Sequence, residues 1–162
     1  MRLEEDLKLD YKDVLIRPKR STLQSRSQVK LNRKFQFRNY VPEFDIGDDH
    51  YNGIPIMASN MDGVGTFEMA DKLAEGEIFT CLVKTYSADE LIKYFLGPWE
   101  RTECVAMSIG TGDSDYNKLF QVVKEVGHRL KYVCMDIANG YSDHFAQHVR
   151  KGRAEFPDLV II

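Results

Sequence analysis

Beyond residue 50, short apolar runs alternate with stretches whose apolar residues recur at helical spacing. The runs 54–59 (Ile-Pro-Ile-Met-Ala-Ser), 78–83, 103–109, 132–137 and 158–162 have strand length and little internal alternation. That pattern predicts strands buried on both faces. They recur every 24 to 29 residues or so, close to the ~30-residue length of a β-α-β unit. Four helices are predicted between them. Thr66 caps the first, which carries Phe67, Ala70, Leu73 and Ala74 on one face and stops at Gly76. Ser87 and Glu90 form a capping box for the second, with Leu91, Ile92 and Phe95 as its stripe and Gly97-Pro98 as its end. Asp113 or Ser114 opens the third, with Tyr116, Leu119, Phe120, Val123 and Val126 at helical spacing. Ser142 opens the fourth, which carries Phe145 and Val149 and must finish before Pro157.

Such a series fits either an eight-unit barrel or an open doubly wound sheet. The open dinucleotide fold places G-x-G-x-x-G after its first strand. Here the first clear strand runs instead into Ser59-Asn60-Met61-Asp62-Gly63-Val64-Gly65, which favours the barrel. A complete barrel takes about 250 residues. The expected fold class is therefore α/β, the N-terminal half of a TIM (β/α)8 barrel. Residues 1–162 would form a single incomplete barrel domain, with 1–53 as arm and plug and 54–162 as four β/α units plus a fifth strand. Val160-Ile161-Ile162 closes the chain on an apolar strand, so truncation within that strand is expected.

A hydrophobic fraction of 43% and a charged fraction of 29% are ordinary for a globular domain. No apolar run reaches the roughly 18 to 20 residues that span a bilayer, and residues 1–11 are charged where a signal peptide is apolar. Neither a membrane nor export is expected. Cys81, Cys104 and Cys134 lie in separate apolar runs without metal-knuckle or disulfide spacing, which points to a reducing, cytoplasmic setting. The net charge is -3, and the basic residues form only local groups at 17–20 and 26–38. Nucleic acid is thus an unfavoured partner and a small molecule a favoured one.

Barrel enzymes build their sites where strands end. Polar residues follow each of the four complete strands: Ser59, Asn60 and Asp62, then Lys84, then 108–113, then 136–140. Each has a plain alternative. Asp62, Asp136 and Asn139 are turn-formers, Gly110-Thr111-Gly112 can simply lead into a helix, and a lysine at a strand end is commonly solvated. Gly110-Thr111-Gly112 also suits an anion at a helix N-terminus. His144 and His148 lie one turn apart, but no third ligand accompanies them and no metal site is expected. The cysteines have no base or cation beside them in sequence, and none is assigned to catalysis.

These residues resemble the GMP reductase family. The likeness runs through 2–20, Ser21-Thr-Leu-Gln-Ser-Arg-Ser27, Asn60-Met61-Asp62, Val64-Gly65-Thr66-Phe67, Lys84 with Tyr86-Ser87, Gly110-Thr111-Gly112 and Asp136-Ile137-Ala138-Asn139-Gly140-Tyr141-Ser142. It covers essentially the whole chain. The sister family, inosine monophosphate dehydrogenase, shares the Met-Asp turn but typically has a serine pair where Ile137 and Ala138 stand, and an inserted regulatory domain with no trace before Leu91.

The resemblance implies reduction of GMP to IMP with NADPH, releasing ammonia, by way of a cysteine nucleophile. It assigns Lys84 to the proton-handling region and to the cofactor. It assigns Ser25 and Arg26 to the phosphate-bearing adenosine end of NADPH, and Asp136, Ile137 and Ala138 to the cofactor-binding strand end. Ser59 and Met61 correspond to nucleotide-contacting positions. Ser59, Gly63 and Val83 depart from the usual alanine, threonine and histidine. The family's Gly-rich Cys-Thr-Thr loop does not occur in these 162 residues, and the potassium site and phosphate-holding strands would lie beyond Ile162. The chain alone is therefore expected to be inactive, and the intact family is expected to be a homotetramer. Two alternatives stand beside this reading: a self-associating half-barrel binding module without catalysis, and an NAD-using fragment similar to inosine monophosphate dehydrogenase.

Overall fold

The computed structural model describes residues 6–37 and 51–162, and the parts of the expected arm at 1–5 and 38–50 lie outside it. Two compact units result, Met1–Lys30 and Leu31–Ile162. The described part of the first holds two single 3-10 turns. In Tyr11–Asp13 the side chains of Asp10 and Asp13 each accept a backbone N–H of the other's end, and in Arg26–Gln28 the Ser25 hydroxyl accepts from the Ser27 N–H. None of its described residues is buried, so these local hydrogen bonds set its shape.

The second unit is a six-stranded sheet whose strands neighbour one another in chain order: β1 (Arg33–Phe35), β2 (Tyr51–Ala58), β3 (Ile78–Cys81), β4 (Val105–Ile109), β5 (Tyr132–Met135) and β6 (Val160–Ile161). From β2 onward every pairing is parallel. A doubly wound sheet reverses direction at its first strand, so strictly sequential order is that of a barrel half. Strand β1 lies inside the segment expected to be arm and plug, and pairs antiparallel with β2 through Phe35 and Tyr51. With one apolar residue of its own, Phe35, it gives little period-two signal in the sequence.

The helices α1 (Phe67–Ala74), α2 (Ala88–Phe95), α3 (Trp99–Thr102), α4 (Asp113–Val126) and α5 (Asp143–Glu155) connect the strands. The expected caps hold. The Thr66, Ser87 and Ser142 hydroxyls accept from the N–H groups of Met69, Glu90 and Phe145 at 3.2, 3.3 and 3.2 Å. Glu90 returns the bond by accepting from the Ser87 N–H at 2.8 Å. Each such cap contributes on the order of 1 kcal/mol. Two ends differ from expectation. Gly112, rather than Asp113 or Ser114, is the α4 cap, which leaves both side chains inside the first turn. Pro98 both follows the end of α2 and opens the short helix α3, a position where its missing N–H costs nothing.

The sheet separates two apolar layers. Val105, Met107 and Ile109 of β4 and Val133 and Met135 of β5 pack against the helices, together with Leu82, Leu91, Phe95, Leu119 and Val122. The alternate residues Ala106 and Tyr132 face the other side with Phe79, Cys81 and Cys104. All five β4 residues are buried, as the unbroken apolar run predicts. Phe120, read as part of the α4 stripe, is 62% exposed, while Val122, two residues on, is fully buried. Val122 lies three residues beyond Leu119 and four short of Val126, on the face that meets the sheet.

Candidate functional site

The chain leaves β2 through a tight turn. The Val64 and Gly65 N–H groups both donate to the Met61 carbonyl, and the Val83 N–H just beyond β3 donates to the Gly65 carbonyl at 2.8 Å. A Cβ on Gly65 would fall 2.3 Å from the Cys81 carbonyl oxygen, so only glycine lets the turn approach β3 this closely. Gly63 has φ 72°, the left-handed region that favours glycine, and hydrogen bonds to the Met61 carbonyl close the turn around it. Ser59 and Met61 are exposed on this turn.

Asn60 crosses to the end of β5. Its Nδ2 donates to Asp136 Oδ2 at 3.1 Å, joining residues 76 apart in sequence. The Asp136 N–H donates to the Ile109 carbonyl at 2.9 Å, which continues the β4–β5 ladder by one residue and fixes the carboxylate at the sheet's rim. The carboxylate is exposed, and one oxygen remains to accept from a ligand hydroxyl. Ile137 is half-buried and Ala138 exposed on the loop that follows. There Asn139 Oδ1 accepts from the Tyr141 N–H at 3.1 Å and turns the chain into α5.

Lys84 follows β3 with its side chain exposed, and its backbone is tightly held. Lys118 Nζ donates to the Lys84 carbonyl at 2.6 Å and to the Tyr86 carbonyl at 3.3 Å. The Tyr86 ring stacks on Phe67 at 3.9 Å, and Phe67 stacks in turn on Tyr94 at 4.5 Å. The Gly110-Thr111-Gly112 loop is arranged against anion binding. The Gly110 N–H is already taken by Asp115 Oδ2 at 3.0 Å, and Asp113 and Asp115 place two carboxylates in the first turn of α4. Negative charge there opposes a phosphate.

Below the rim, on the side of the sheet away from the helices, lies a sulfur layer. Cys81 Sγ meets Met57 Sδ at 3.3 Å and also the Cys134 sulfur. The Cys81 thiol holds Cys134 below the ordinary thiol range, at about 7, against burial and the Asp136 charge. Burial pushes Cys104 up to about 11. Sequence reading gave Cys134 no special standing, because its neighbours come from two other strands. It also passed over Lys118 and Asp115, whose one trace in the sequence is an acid–base pair at i,i+3 on a helix.

Ser25 and Arg26 belong to the first unit. They line an open concavity of about 310 Å³ with Ser21, Leu23, Gln24 and Val29. Ser25 Oγ is 2.9 Å from Ser27 Oγ. The histidines read as one turn apart diverge: His144 is exposed, and His148 is buried with its ring edge-on to Tyr116 at 4.9 Å. Among the described residues no group of three or more His, Cys, Asp or Glu side chains could hold a metal ion, and no helix is long and apolar enough to cross a membrane.

Comparison with known proteins supports the resemblance carried by the motifs. No family model matches the chain. GMP reductase 2 of Mus musculus is 44% identical over 160 residues, spanning 99% of this chain and 44% of that protein. GMP reductase of Klebsiella pneumoniae is 47% identical over 163 residues, spanning 100% of this chain and 45% of its own length. The chain thus covers less than half the length of these relatives. Among solved structures, inosine 5'-monophosphate dehydrogenase from Legionella pneumophila superposes with a TM-score of 0.68 at 19% identity, over 93% of this chain and 42% of that one. That likeness concerns the barrel fold.

Proposed function

We propose that this chain is the cofactor-side portion of an NADPH-dependent GMP reductase, which converts GMP, NADPH and a proton to IMP, ammonia and NADP⁺. The observation that carries the reading is identity of 44 to 47% with proteins named GMP reductase over essentially the whole chain. NADPH supplies the hydride. The residues of this chain bind, orient and handle protons. Asp136 accepts from a ribose hydroxyl through the oxygen that Asn60 leaves free, and Ile137 and Ala138 present the backbone beside it. Arg26 suits a phosphate: among the described residues no hydrogen bond or ion pair engages its guanidinium, which sits in a concavity with two serines. Ser59 and Met61 lie on the turn that would face the nucleotide.

Lys84 is the proposed catalytic residue. Expelling an amine from the purine requires that it be protonated as it leaves, and an ammonium on a fixed backbone can deliver that proton. Neither a Cys-Thr-Thr nucleophile loop nor the later phosphate site occurs in the sequence, so the chain alone is proposed to lack turnover. The family's potassium ion, homotetrameric assembly and cytoplasmic setting are part of the same proposal and rest on the resemblance alone. The test is NADPH consumption with GMP by the chain alone and by the chain joined to a family-like continuation. Turnover is expected in the joined form only, and activity of the chain alone would overturn the assignment of the nucleophile to later residues.

A further inference from the structure

We infer that Asp115 and Lys118 of α4 form a positioning bracket that sets the backbone carrying Lys84. This rests on the functional reading above and adds two residues to it. Four contacts define the bracket. Asp115 Oδ2 accepts the Gly110 N–H at 3.0 Å, which ties the pair to the end of β4. Asp115 Oδ1 lies 3.7 Å from Lys118 Nζ. Lys118 Nζ then donates to the carbonyls of Lys84 at 2.6 Å and Tyr86 at 3.3 Å, which ties the pair to the end of β3.

The two loops so joined are 34 and 5 residues from their bracket partners, and their spacing is set by a single helix turn. The side chains are only 16% and 26% exposed for Lys118 and Asp115, so both are largely buried where the Lys84 side chain is not. An ammonium has three protons; here two are donated to carbonyls, and the Asp115 carboxylate at 3.7 Å balances the charge. Of the expected cofactor residues, Lys118 meets Lys84, through its backbone carbonyl. Its effect on the reaction therefore passes through Lys84. With the Lys84 and Tyr86 carbonyls fixed, and Tyr86 pinned by its ring on Phe67, the Lys84 side chain starts from a set point on the rim.

Arginine can span the same acceptors with a charged group, whereas methionine keeps the apolar stem and removes every donor. The test is steady-state kinetics of the complete reductase with wild-type sequence, Lys118→Met, Lys118→Arg and Asp115→Asn, alongside thermal melting of each. Loss of preorganised geometry predicts that Lys118→Met lowers kcat roughly 10- to 100-fold with KM for NADPH changed by less than about threefold. Lys118→Arg is expected to restore at least about a third of kcat, and Asp115→Asn to lower it about 3- to 10-fold. Unchanged kcat in Lys118→Met overturns the bracket. So does a kcat loss in both Lys118 variants that follows their loss of folded protein while Asp115→Asn stays fully active. If the wild-type complete protein fails to oxidise NADPH with GMP, the functional reading itself has failed and the bracket falls with it.

Discussion

Asn60 and Asp136, 76 residues apart, meet through one hydrogen bond of 3.1 Å at the rim of the sheet, and in doing so join the exits of β2 and β5 across the two strands between them. The bond is exposed, so it contributes about 1 kcal/mol at most to folding. Its consequence is orientation: it occupies one carboxylate oxygen and leaves the other for a ligand. Asp136→Asn keeps the shape and removes the charge. A hydrogen bond to a charged group is worth roughly 1.5 to 3 kcal/mol, so the substitution should weaken NADPH binding about 10- to 100-fold, read by cofactor titration, with little change in melting temperature.

Lys84 presents an exposed side chain on a held backbone. If it protonates the departing amine, Lys84→Met in the complete reductase should lower kcat by about 10² to 10⁴-fold, the usual scale of general acid–base catalysis. Stability should be unaffected, because no buried contact is lost. A variant with full kcat would remove Lys84 from the proton-handling role.

The sequence made the periodic parts of this fold legible for a physical reason. Unbroken apolar runs and hydroxyl caps are local signals, and β4 with its five buried residues and the caps at Thr66, Ser87 and Ser142 stand where local pattern places them. Strand edges are less legible: β3 stops at Cys81, while the apolar run continues through Leu82, which is buried in the core, and Val83, whose N–H donates to the Gly65 carbonyl. Strand β1 is held by pairing with Tyr51, which no local window contains. The same limit applies to the site. Lys84 and Asp136 announce themselves by following strands, whereas the Asn60–Asp136 bond, the Lys118 bracket and the Cys81–Cys134 contact exist only once β-strands from distant segments lie side by side.

Neighbouring positions on α4 offer a sharp contrast in stability. Leu119 is fully buried between helix and sheet, and Phe120 is 62% exposed. Leu119→Ala should cost about 2 to 5 kcal/mol in urea unfolding, through lost transfer energy and the cavity left behind. Phe120→Ala should stay within about 0.5 kcal/mol. Equal effects would mean that the α4 face is rotated from the one described.

His148 gives the fold a pH dependence of definite sign. Its pKa is lowered by burial, and by His144 and Lys151 on its own helix, against the Gly110 backbone and Asp115, which favour the charged ring. Lys151 Nζ also sits 4.3 Å from the centroid of the Tyr116 ring that His148 packs on, so the imidazole has a cation close by and its Nε2 meets no hydrogen-bond partner among the described residues. The folded chain thus holds His148 neutral, while the unfolded chain takes up a proton below about pH 6.5. The stability due to neutral His148 is complete above that value and is lost as pH falls through the lowered folded value. Urea unfolding of wild type from pH 8 down to 5 should show this loss, and His148→Phe should flatten it. Parallel curves for the two proteins would exclude His148 as the source.

Cys134 should be the reactive thiol of this chain. It is half-buried and lowered to about 7, chiefly through the Cys81 thiol, whereas Cys81 itself is pushed up by that same contact and by burial, and Cys104 is raised to about 11. One proton lies between Cys81 and its two sulfur neighbours, and when it turns toward Cys134 it stabilises that thiolate. Since the thiolate is the nucleophile, iodoacetamide should label Cys134 first, with a rate that rises to half its plateau near pH 7. The readout is peptide mass mapping across a pH series. Cys81→Ser should slow the labelling at neutral pH and move the midpoint upward, because a hydroxyl placed there donates less well to sulfur across the longer gap. Preferential labelling of Cys104, or a Cys134 midpoint at the ordinary thiol value in the wild-type chain, would show that the Cys81 contact does not govern the sulfur layer.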